Sequence, residues 1–72
     1  MSLIQKLKNE RKELSKRIAK LKTFLDSTNF KTLDLNQQNL LIEQLRVMNK
    51  YEYILLVRIK DIERRNINGP TK

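Results

Sequence analysis

The sequence contains no cysteine, no histidine and no tryptophan, and only one glycine and one proline. Without cysteine there is no disulfide and no thiolate nucleophile. Without cysteine or histidine there is no zinc site built on sulfur or nitrogen. A single glycine cannot supply a phosphate-cradling loop. Gly69 and Pro70 stand together near the end, so only a polar stretch in the middle interrupts helix between Ser2 and Asn68. Long apolar runs are missing too. The longest is Ile54-Leu55-Leu56-Val57, far short of the roughly 20 residues that span a bilayer. The first residues lack the apolar block of a secretory signal. These features predict a cytoplasmic protein with no membrane partner.

Acidic residues are also scarce relative to basic ones. Lysine and arginine number 16 against 8 acids, a formal charge of +8 with a pI near 10.1. A positive field of this size draws polyanions: nucleic acid, nucleotides or acidic protein surfaces. Half of the bases (Lys6, Lys8, Arg11, Lys12, Lys16, Arg17, Lys20 and Lys22) fall within residues 1–25, against only Glu10 and Glu13. The first part of the chain is therefore the cationic face.

What is present is heptad spacing. Ile4, Leu7, Leu14, Ile18, Leu21 and Leu25 alternate spacings of three and four once position 11 is counted, a coiled-coil seam. With Ser2 as N-cap, this predicts a first helix over about 3–25. Asp26-Ser27-Thr28-Asn29 is turn-prone, because short polar side chains bond the local backbone. Phe30 and Leu33 are placed to fold back over the helix ends. Asp34 followed by Gln37 reads as a capping box, opening a second helix over about 35–65. The connector is then 26–34, the domain 1–68 and the tail 69–72.

The second helix carries its own seam at Leu41, Leu45, Met48, Leu55, Ile59 and Ile62, interrupted at Glu52. Folding the chain back pairs residues whose numbers add to 62 or 63: Leu21 with Leu41, Ile18 with Leu45, Leu14 with Met48, Leu7 with Leu55. In that register the polar interruption at Arg11 meets the one at Glu52. The prediction is an all-α, antiparallel, coiled-coil-like two-helix hairpin. A further stripe at Leu40, Val47, Tyr51 and Ile54 continues to Arg58 and Arg65, with Ile42, Tyr53 and Leu56 elsewhere around the helix. One partner helix cannot cover so much apolar circumference. A chain of 72 residues also buries only about 60% of its unfolded surface. Assembly into a homo-oligomeric helical bundle, dimer or larger, follows.

Catalysis finds little to work with. The carboxylates are scattered among bases, and no pair shares a pocket-lining face. The expectation is a non-enzyme without cofactor or metal. Arg11 and Glu52 read first as a register-fixing ion pair, with Arg11 alternatively gripping an anion between helices. Tyr51, Arg58 and Arg65 read as interface anchors. Their functional alternative is a symmetric pocket in which tyrosine stacks on a base and arginine forks onto phosphate. Lys31, beside the start of the second helix, is a further anion contact.

The strings Leu21-Lys22-Thr23-Phe24-Leu25, Phe30-Lys31-Thr32-Leu33, Gln38-Asn39-Leu40-Leu41 and Gln44-Leu45-Arg46-Val47-Met48-Asn49-Lys50-Tyr51, with Leu55 and Arg58, resemble the crAss-phage-related small protein family. The resemblance covers about residues 3–62. It implies a phage setting in the host cytoplasm and brings no catalytic residues. Small basic helical phage oligomers are similar to counter-defence proteins that sequester cyclic-nucleotide or ADP-ribose-derived immune signals. Three readings stay open. One is a nucleotide sponge using Lys31, Tyr51, Arg58 and Arg65, with Arg11 in reserve. Another is a binder of nucleic acid or of a host nuclease or defence protein through the first helix. The last is a structural coiled-coil adaptor.

Overall fold

The computed structural model describes residues 2–68, with side chains described as far as Arg65. The expected tail, 69–72, lies outside the described residues. Three helices and no strand occur among the described residues: α1 (Leu3–Leu25), α2 (Thr28–Lys31) and α3 (Leu35–Asn68). α1 folds back along α3 in a rod of 58 × 17 × 15 Å, which is the expected helical hairpin.

Each helix start is made by a short polar side chain that satisfies an otherwise orphaned N–H. The Ser2 hydroxyl accepts from the Gln5 amide at 3.2 Å. Asp34 Oδ1 accepts from the Gln37 amide at 2.8 Å. The reciprocal half of the expected capping box, a Gln37 side chain accepting from the Asp34 amide, is not formed among the described residues. Gln38, not Gln37, reaches back, donating from Nε2 to the Leu33 carbonyl at 2.9 Å.

The connector departs from the expected plain turn. Ser27 caps a one-turn helix by accepting from the Phe30 amide at 3.3 Å while donating to the Phe24 carbonyl at 2.6 Å. Thr28 and Asn29 therefore belong to α2 rather than to a loop. The turn carries Phe30 onto Phe24, edge to face with ring centroids 6.2 Å apart, the favoured geometry for an aromatic pair. The second long helix also runs on to Asn68, three residues past the expected end. No breaker stands before Gly69, and Arg64 and Arg65 both pair with Asp61 along the helix surface, which supports its last turns.

The core lies along the α1–α3 seam. Leu7, Leu14, Ile18, Leu55 and Ile59 are buried, with Ile4, Leu45, Met48 and Ile62 packed around them. Leu55 is fully enclosed, at 0% exposure. Arg11 Nε donates to Glu52 Oε2 at 2.6 Å, the contact that the expected register calls for. Outside this strip α3 is open. Leu40, Ile42, Val47, Tyr51, Tyr53, Ile54 and Val57 stand 41–59% exposed.

Candidate functional site

The two flanks of the seam differ in character. A helix advances about 100° per residue. Measured from Leu55 at the core, Leu56, Lys60 and Glu63 turn roughly 80–140° to one side, and Val47, Tyr51, Ile54 and Arg58 roughly 40–100° to the other. On α1 the matching first side is taken by Lys8, Lys12, Ser15 and Ala19, each one position past a seam residue. Because α1 and α3 run antiparallel, these sets face the same way and line a single groove.

That groove has a volume of about 700 Å³. Its rim holds Lys8, Arg11, Lys12, Lys16 and Lys60, and its apolar floor is Ala19, Leu56 and Ile59. Ser15 and Ala19 open the space, since larger side chains there would fill it; Ala19 is the only alanine in the chain. Some of the rim charge is already engaged. Lys8 Nζ lies 3.2 Å from Glu63, closing one end of the groove. Arg11 is held by Glu52, and Lys16 lies 3.7 Å from Glu13. Lys12 and Lys60 have no carboxylate partner among the described residues. The exposed pairs are worth little to stability, so those lysines can be redirected to an incoming anion at small cost. The groove offers an apolar bed edged with positive charge. Among the described residues it presents no carboxylate pair, and none of them cluster as metal ligands.

The residues nominated from sequence do not converge in one protomer. Lys31 is exposed at the end of α2, whereas Arg65 lies 34 positions further along; the α3 span from Leu35 to Arg65 alone is about 45 Å. Arg65 Nε is tied to Asp61 at 3.1 Å. Tyr51 and Arg58 share the flank away from the groove, both exposed. Only Arg11 reaches the groove, where it lines the wall while bonded to Glu52. The expected pocket for these residues lies at an interface between copies, and a single chain shows instead two separate features, a basic groove and an apolar flank. Sequence reasoning missed Lys8, Lys12, Lys16 and Lys60 as a set. The signal was present as bases one step past the seam on both helices, next to two small residues.

Away from the groove, an exposed ion pair sits on the outer surface of α3. The Arg46 guanidinium bonds Glu43, holding that carboxyl below its ordinary value and raising Arg46 in turn. Both are solvent-exposed neighbours three apart on α3. No described helix is long and apolar enough to cross a membrane.

No curated protein and no solved structure matches the chain. The profile of one family, Sequestin, matches residues 1–61, covering α1, the connector and most of α3. That span takes in every residue lining the groove except Glu63. The family name points to sequestering and names no ligand, and the match carries no link to crAss-like phages. The chain belongs to the Sequestin family.

Proposed function

We propose that this protein is a non-enzymatic phage counter-defence protein that binds a small anionic nucleotide immune signal, of the cyclic-nucleotide or ADP-ribose-derived kind, and holds it without turnover. The observation that carries this reading is the groove between α1 and α3, with five basic side chains around an apolar floor. A nucleotide has the same division, a base and sugar with apolar faces joined to one or more phosphates. Its base would lie over Ala19, Leu56 and Ile59, and its phosphates would take the lysines and Arg11. The volume, about 700 Å³, falls in the range of small-molecule sites. The family name supports a sequestering role.

Placement of charge favours a small ligand over a duplex. Of the eight bases on α1, Lys8, Arg11, Lys12 and Lys16 line the groove, while Lys6, Arg17, Lys20 and Lys22 do not. Phosphate-backbone binding uses bases spread along an exposed face; here half of them are gathered with Lys60 from α3.

Isothermal titration with ADP-ribose, cyclic ADP-ribose isomers, cyclic di- and trinucleotides and a short DNA duplex at two salt concentrations tests the reading. One small nucleotide should bind with Kd below about 10 μM and be recovered chemically intact after heat release. Lys12→Glu with Lys60→Glu should weaken it at least about tenfold, a loss of ~1.4 kcal/mol. Binding to the duplex alone, with a steep salt dependence, would refute the proposal, as would silence with every nucleotide.

A further inference from the structure

We propose that the exposed flank of α3 is the seat of a second copy of this chain, docked antiparallel about a twofold axis that crosses α3 between Glu52 and Tyr53. The starting observation is spacing. Leu40, Gln44, Val47, Tyr51, Ile54, Arg58, Asp61 and Arg65 alternate steps of four and three, a second coiled-coil seam beside the one used by α1. Its apolar members stand 41–53% exposed. The hairpin's own core holds five buried side chains among the described residues, and the chain has no cysteine with which to brace it.

Self-complementarity identifies the occupant. In an antiparallel pair, the two kinds of seam position face each other across the interface, and one register does this over the whole stripe. It sets Tyr51 against the partner's Ile54 and Val47 along the aliphatic stem of the partner's Arg58. Leu40 meets the stem of the partner's Arg65, and Gln44 meets the partner's Asp61. On the flank of that seam, Glu43 then faces the partner's Arg64, and symmetry repeats the pair. Each of these ions sits in an exposed pair three residues away on its own helix, an arrangement weak enough to exchange. A parallel pair would instead stack Arg58 on Arg58 and Arg65 on Arg65, and would hold Glu43 and Arg64 about 30 Å apart. Charge therefore selects antiparallel. The overlap from Leu40 to Arg65 is about 38 Å long. It lies across α3 from the basic groove, so the dimer would carry two open grooves, one per protomer. The inference stands apart from the ligand reading, because no groove residue takes part in it.

Because the chain has no cysteine, introduced cysteines report the register cleanly. Sedimentation equilibrium of the unmodified protein should give twice the 8.7 kDa chain mass. Under mild oxidation, Tyr51→Cys chains mixed with Ile54→Cys chains should crosslink to each other faster than either does to itself. Tyr51→Cys linking mainly to itself would indicate a parallel pair and overturn the proposal. Preferential linkage of Val47→Cys to Tyr51→Cys would overturn the register. A mass of one chain at all concentrations up to about 1 mM would overturn the dimer, including the case where the flank serves another protein. Glu43→Arg should weaken dimerisation roughly fivefold, in line with two exposed pairs, and Arg64→Glu added to it should restore the native value.

Discussion

Arg11 and Glu52 are the polar pair inside an apolar seam, and their geometry decides what they are worth. The 2.6 Å bond joins side chains that are 39% and 24% exposed, so neither is fully stripped of water and neither is free. Removing one partner leaves the other facing an apolar strip, which costs more than the pair contributes. Arg11→Leu and Glu52→Leu made singly should each cost about 1–2 kcal/mol. That corresponds to a drop of roughly 5–15 °C in Tm for a domain this small. Made together they should cost less than either alone, because leucines extend the run from Leu7 to Leu14. Thermal melts of the three variants check this, and two silent singles would show that the pair does not fix the register. The ion pair was legible in the sequence because both interruptions occur once, at positions that coincide when the seams are paired. Its closeness to the groove was not legible, since that depends on which way Arg11 leaves α1.

At the scale of the element, what the sequence revealed followed from periodicity, and what it hid followed from local hydrogen bonding. The seams of α1 and α3 repeat over many turns, so the helices and their register could be read directly. The connector holds a single helical turn, and its conformation rests on a few local side-chain bonds. Ser27 turns a stretch of turn-forming residues into α2 by bonding both the Phe24 carbonyl and the Phe30 amide. The start of α3 similarly divides between Asp34, which caps, and Gln38, which reaches back to the Leu33 carbonyl. Asp34→Ala should lower stability by about 1 kcal/mol. Gln37→Ala should be near silent, because its side chain makes no hydrogen bond among the described residues, whereas Gln38→Ala should cost about 0.5–1.5 kcal/mol. Urea melts of the three variants would rank them. Equal effects of Gln37→Ala and Gln38→Ala would contradict the bonding seen here. The groove was hidden for a related reason: its lysines look like a solvated face until Ser15 and Ala19 are seen to leave space beside them.

At the scale of the whole molecule, the hairpin divides its two demands between opposite flanks. One flank gathers charge that would repel a second copy, and the other carries apolar side chains that an isolated rod leaves wet. With the proposed ligand in the groove and the proposed second copy on the flank, binding and assembly would be separate, so each should respond to its own substitutions. Lys12→Glu with Lys60→Glu reverses charge only in the groove; it should abolish stabilisation by the bound nucleotide while leaving the mass of the assembly unchanged. Ile54→Lys places a charge in the proposed seam. It should return the protein to a single chain and remove the dependence of Tm on protein concentration that mass action imposes on a dimer. The groove would remain, so the surviving folded chains should still bind the nucleotide, with one site per chain. Differential scanning calorimetry at two protein concentrations, with and without ligand, reads both effects in one series. If the groove variant also lost the concentration dependence, or Ile54→Lys lost ligand binding while remaining helical, the flanks would not be independent. The ligand would then have to sit at the junction of two copies, where Tyr51, Arg58 and Arg65 would again be the residues to test.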